Sequence, residues 1–185
     1  MNLNFATTLT ITRIIFIPLI ILFFLYDNGS YRNISAYIFL IASITDYFDG
    51  LVARKFNQIT TFGTFLDPIA DKLLVVISII LLLTIFNSLI FLLSAIIIVS
   101  REFLVIAIRQ RLAELKSSIP IKVNNLGKVK TVFQMISLFL LLHTNFLFGF
   151  TNLHMIGLIL LVISSILTVI SFIYYVRNSW DDILR

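Results

Sequence analysis

The sequence predicts an all-α fold, a polytopic membrane protein with six transmembrane helices and both termini on the cytoplasmic side. Three observations lead there. The chain is 59% hydrophobic and only 12% charged, with a mean hydropathy of +1.06, whereas a water-soluble domain of this length keeps far more charge on its surface. Its apolar residues gather into long runs separated by short polar turns, and its lysines and arginines concentrate in alternate connections. The 18 phenylalanines suit a lipid-facing surface better than a wet one. Residues 1–185 are expected to form a single membrane domain. With no cysteine in the chain, disulfides, thiolate metal sites and a cysteine nucleophile are excluded.

The first apolar run, Leu9–Tyr26, is long enough to span. It contains Arg13 and is not preceded by a basic segment leading to a small-residue cleavage site, so it is expected to be a retained helix, kinked at Pro18. Asp27-Asn28-Gly29-Ser30 closes the first hairpin. The second run, Ile34–Phe48, reaches spanning length only if its helix continues through Asp46 and Asp49 toward Arg54. The third, Phe65–Phe86, tolerates Pro68 near its start, and Asn87-Ser88 turns it into the fourth, Leu89–Ile108. Ser117–Asn125, with Pro120, is the longest polar connection. Val129–Leu147 and Leu153–Tyr175 complete the six, most of them near the roughly 20 residues that cross the hydrocarbon layer. Tyr174, Tyr175 and Trp180 form an interfacial belt at the last helix end. Gly157 and Ser164–Ser165 offer small surfaces for close helix packing, within the chain or in a dimer.

Orientation follows from the cations. Arg54 and Lys55 follow the second run, and Arg109, Arg111, Lys116, Lys122, Lys128 and Lys130 lie between the fourth and fifth. Arg177 and Arg185 follow the sixth, whereas the third-to-fourth and fifth-to-sixth connections hold no lysine or arginine. Arg32 is the exception on the other side. The positive-inside rule then turns both termini and the acidic segment toward the cytoplasm, and the chain is expected to be a multi-pass protein of the inner, cytoplasmic membrane.

That acidic segment carries the chemistry. It reads Asp46-x2-Asp49-Gly50-x2-Ala53-Arg54-x8-Gly63-x3-Asp67-x3-Asp71. Spacings of three and four residues put each aspartate pair on one helix face. A lone ionised carboxylate at mid-bilayer costs about 2.5–3.5 kcal/mol, so four together require compensation. Two divalent cations supply it. Without cysteine or a nearby histidine the donors are all oxygen, which suits Mg2+ or Mn2+ better than zinc or copper. Two such ions clamp a diphosphate and hold an attacking oxygen in line. Gly50, Ala53 and Gly63 permit close approach of a backbone or ligand. Arg54, one turn past the acidic pair, suits a diphosphate oxygen or a base.

At every fixed position this segment resembles the signature of the CDP-alcohol phosphotransferases. The resemblance implies transfer of a phosphatidyl or related group from a CDP-linked donor to an alcohol, with release of CMP. It implies that Asp46, Asp49, Asp67 and Asp71 hold two metals and that Asp71 is also the catalytic base for the acceptor hydroxyl. By the same carry-over, Gly50, Ala53, Arg54 and Gly63 bind the CDP moiety. Because a metal-bound carboxylate is a weak base, the alternative is that Asp71 only positions the hydroxyl.

A second cluster bears on the acceptor. Arg101 and Arg109 lie eight residues apart and share a helix face, and Lys128 and Lys130 open the next helix at the same edge. Four converging cations suit a doubly charged phosphate. These segments, with Leu9-Thr10-Ile11-Thr12-Arg13, resemble the branch of the family that joins CDP-diacylglycerol to sn-glycerol 3-phosphate. The resemblance implies that Arg101, Arg109, Lys128 and Lys130 bind the glycerol-phosphate end, and it implies a homodimer. Glu102 is expected to hold Arg101, and His143 and His154 to have no role. A serine or phosphatidylglycerol acceptor remains an alternative product class within the family, although serine has little use for these cations. An inositol phosphate uses them equally well. A cation transporter needs polar residues across the whole bilayer, whereas the acids here collect at one edge. No nucleic-acid partner is expected.

Overall fold

A computed structural model describes residues 5–26, 29–56, 61–114, 125–144 and 152–183, which form six helices with no strand among the described residues. They are α1 (Phe5–Leu25), α2 (Gly29–Phe56), α3 (Thr61–Leu83), α4 (Leu89–Glu114), α5 (Asn125–Leu142) and α6 (Leu153–Ile183). The helix α1 runs unbroken with Pro18 inside it. As spanning length required, α2 continues through Asp46 and Asp49, reaching 28 residues. The start of α3 at Thr61 precedes the apolar run, which puts Pro68 within the helix rather than in its first turn. Residues 115–124, the long polar connection, lie outside the described residues.

The most extensive packing joins α5 to α6 and α1 to α2; α4 lies on α6, and α3 contacts α1, α4 and α5. Ile20, Phe39, Leu74, Ile79, Leu82, Phe91, Leu138, Leu141 and Leu161 are buried where these helices meet. The polarity is partly inverted. Fully or nearly fully buried positions include Arg13, Ser78, Glu102, Lys130, Gln134, Ser137, Ser164 and Thr168, while Ile15, Leu22, Ile80, Leu93, Ile96, Ile159, Ile166 and Ile173 are exposed. Water penalises so much contiguous apolar surface and lipid does not. Leu89–Leu112 and Leu153–Asn178 are each long and apolar enough to cross a membrane, while Ile11–Leu25 is a shorter apolar helix.

The end of α5 departs from expectation for a visible reason. Its helix stops at Leu142 rather than Leu147, where side chains from α2 meet its open carbonyls. Arg32 donates to the Leu142 and Leu141 carbonyls at 3.0 and 2.9 Å. The Asn33 side-chain oxygen accepts from the Thr144 amide and hydroxyl, both at 2.7 Å. A cation and hydrogen-bond donors at a helix C-terminus satisfy orphan carbonyls and oppose the helix dipole. Arg32, the basic residue that broke the orientation pattern, therefore has a structural task. His143 and His154 belong to the same corner: His154 Nε2 lies 2.9 Å from the His143 carbonyl, and Tyr37 meets the His143 ring edge-on.

The small residues of α6 serve packing inside the chain. Ser137 donates to the Gly157 carbonyl at 2.8 Å, and Ser164 donates to the Lys130 carbonyl at 3.2 Å. A Cβ on Gly157 would stand 2.8 Å from Leu141 Cγ. Gly157→Ala is therefore expected to cost about 1–3 kcal/mol of stability. Thermal unfolding in detergent micelles should show that loss, and Leu141→Ala in the same chain should make the two changes markedly non-additive.

Candidate active site

The site is built around Glu102, at one third-turn past Arg101 on α4 and only 4% exposed. An ionised carboxylate withdrawn from water costs several kcal/mol unless charges and hydrogen bonds replace its hydration. Three helices supply them. Lys130 of α5 and Arg101 of α4 both donate to Oε1, the arginine at 3.1 Å. Lys72 of α3 pairs with Oε2 and reaches Asp71 Oδ2 at 3.5 Å. Two further contacts steady these cations, since Ser164 holds the Lys130 backbone and Arg101 Nη2 lies 3.5 Å from the Ser171 hydroxyl.

Among the described side chains, Lys72, Arg101 and Lys130 meet Glu102 and Asp71 in one cluster. Cations gathered in this way attract anions. Beside the cluster lies a cavity of about 20 Å³ lined by Asp71, Lys72, Glu102, Thr131 and Gln134, with Val75 and Met135 closing its apolar side. The contact of α3 with both α4 and α5 creates it, by bringing Asp71 of one helix against Gln134 of another.

Of the residues singled out from the sequence, Asp71, Arg101 and Lys130 are gathered here, joined by Lys72 and Glu102. Arg109 and Lys128 are exposed and make no contact with the Glu102 carboxylate. Helix α2 carries Asp46, Asp49, Gly50, Ala53 and Arg54, and α3 carries Gly63 and Asp67; the side chains of these residues lie outside the described ones. Asp71 is a partly exposed carboxylate 3.5 Å from Lys72, and its oxygen donors are of the type a hard divalent cation takes. Among the described residues no group of three or more His, Cys, Asp or Glu gathers to hold a metal.

Two participants escaped sequence reasoning. Lys72 was visible only as the neighbour of Asp71, and its bond to α4 needs the fold. Gln134 lies four residues after Lys130, one turn along the same face, and that spacing was its only signal.

Residues 3–175 match the model of the CDP-alcohol phosphatidyltransferase family. The chain is 40% identical, over the whole of both proteins, to a CDP-diacylglycerol–glycerol-3-phosphate 3-phosphatidyltransferase of Wigglesworthia glossinidia brevipalpis. Proteins of the same name from Rickettsia felis (45% identical, 91% of each chain) and Salmonella choleraesuis (38% identical, 100% of this chain and 99% of the relative) are similarly alike.

The ion cluster sets an order among substitutions. Glu102→Gln strands three cations and should cost about 3–5 kcal/mol, whereas Lys130→Met leaves Glu102 two partners and should cost less than half as much. Unfolding midpoints of the two variants in one detergent check the ranking.

Proposed function

The chain belongs to the CDP-alcohol phosphatidyltransferase family, and we propose that it transfers the phosphatidyl group of CDP-diacylglycerol to sn-glycerol 3-phosphate. The products are phosphatidylglycerophosphate and CMP, and the reaction serves phospholipid biosynthesis. The observation that carries this reading is the meeting of cations from three helices beside Asp71. The full-length relatives that bear the same enzyme name support it.

In this reading six helices span the inner membrane with the site toward the cytoplasm, and exposed isoleucines and leucines face lipid. The acyl chains of the donor stay in the bilayer. Gly50, Ala53, Arg54 and Gly63 receive the CDP moiety. Asp46, Asp49, Asp67 and Asp71 would hold two divalent cations, Mg2+ or Mn2+, which neutralise charge on the donor's diphosphate when bound. Arg101 and Lys130, already oriented by Glu102, draw the acceptor phosphate toward α4 and α5, with Arg109 and Lys128 at the exposed approach. That fixes the acceptor hydroxyl near Asp71. The hydroxyl oxygen forms a bond to the phosphatidyl phosphorus, the bond from that phosphorus to the CMP oxygen breaks, and the hydroxyl proton passes to Asp71. Holding both reactants in line supplies most of the acceleration, up to about 7–11 kcal/mol at the ideal limit. A homodimer is the assembly this family membership suggests.

The test is CMP release by the purified protein in lipid–detergent micelles with Mg2+, offering glycerol 3-phosphate, serine, inositol phosphate and phosphatidylglycerol separately. Release with glycerol 3-phosphate alone is expected; release with another acceptor would overturn the substrate assignment. Asp71→Asn should lower kcat by about a hundredfold or more, and an unchanged pH–rate profile and rate would remove its base role. Arg109→Ala should raise KM for glycerol 3-phosphate more than for CDP-diacylglycerol.

A further inference from the structure

Gln134 has a burial that the transfer chemistry leaves unexplained. It is 3% exposed, it lines the cavity shared with Asp71 and Thr131, and its carboxamide makes no hydrogen bond to any described residue. An amide that opens onto a cavity is satisfied by whatever donor or acceptor occupies it. Gln134 lies one turn beyond Lys130 on α5 and lines the same cavity as Asp71, Lys72 and Glu102.

The cavity has a definite chemical preference. At about 20 Å³ it holds one water molecule or one hydroxyl group. Thr131 has already donated its proton to the Gly127 carbonyl at 2.9 Å, so its oxygen is left to accept. Asp71 accepts as well, and the Lys72 ammonium is directed to Glu102. Gln134 both accepts and donates. A group that does the same, such as an alcohol, suits acceptors at Asp71 and Thr131 together with the donors of Lys72 and Gln134.

We infer that Gln134 is a specificity-determining residue that binds the middle hydroxyl of the acceptor. The inference rests on the phosphatidyl transfer to glycerol 3-phosphate proposed above and deepens it. With the acceptor phosphate against Arg101 and Lys130 and the attacking hydroxyl at Asp71, the carbon between them passes the cavity. Its hydroxyl enters and donates to the Gln134 oxygen, while the Gln134 nitrogen donates in turn to an oxygen of the acceptor. An acceptor that lacks this hydroxyl leaves the amide buried and unpaired, a situation in which hydrogen-bonding sites discriminate strongly.

The experiment compares glycerol 3-phosphate with 3-hydroxypropyl phosphate, which lacks only the middle hydroxyl, in the CMP-release assay with CDP-diacylglycerol and Mg2+. The intact protein should favour glycerol 3-phosphate about tenfold or more in kcat/KM. In Gln134→Met, which conserves volume, the ratio should fall toward one; in Gln134→Glu, which still accepts from a hydroxyl, it should stay within about threefold of the original. A ratio near one in the intact protein overturns the inference, and so does a ratio that Gln134→Met leaves unchanged. The first of these needs no variant to fold. If the intact protein releases CMP with neither acceptor, the underlying assignment falls; turnover of both without preference removes the role of Gln134 alone.

Discussion

The carboxylate of Glu102 has to neutralise cations from α3, α4 and α5 in surroundings that offer little water, and the arrangement of those helices depends on it. Each charge would be costly to bury by itself. Together they exchange hydration for short ionic contacts, and the exchange works only when three backbones stand at fixed separations. Ser164 reinforces this by holding the Lys130 backbone from α6. The cluster thus ties α3, which carries Asp67 and Asp71, to the helices that carry Arg101 and Lys130. The residues proposed to hold metal and those proposed to bind phosphate come from different helices, and the ion pairs of Glu102 tie α3 to α4 and α5.

The same economy of polar contacts operates at the other end of α5. Arg32 and Asn33 satisfy carbonyls and an amide that an apolar environment would leave without water. Between the two ends, interhelical bonds such as Ser137 to the Gly157 carbonyl take the place of a hydrophobic driving force, which helices surrounded by lipid largely lack. Polar groups inside and isoleucines outside are consequences of one solvent. This accounts for α5 as a short helix held at both termini, and it keeps Lys130 and Gln134 in register with Asp71.

Much of this was legible in the chain. The six apolar runs appear as six helices, because long stretches without charge leave a backbone no better way to satisfy its hydrogen bonds than within a helix. The continuation of α2 past Asp49 followed from a length argument and holds. Boundaries were less legible. Hydropathy ends α6 at Tyr175, whereas the helix runs to Ile183, because a helix satisfies its own backbone hydrogen bonds whether or not its side chains are apolar. The end of α5 shifted for the opposite reason: apolar residues continue past Leu142, but partners on α2 terminate the helix there.

For the site, spacing along the chain determined the residue types and their faces: Asp67 with Asp71, Arg101 with Arg109, Lys128 beside Lys130. These are local facts, set by the 3.6-residue repeat, and the oxygen-rich chemistry of four clustered aspartates follows from composition alone. What tertiary structure decided is which of the cations meet. Arg101 and Lys130 join Lys72 on Glu102, while Arg109 and Lys128 stay exposed. Residues 72, 102 and 130 have no common period. Ion pairing between helices depends on how their axes cross and which faces they bury, and the packing of α3 against α4 and α5 determines both.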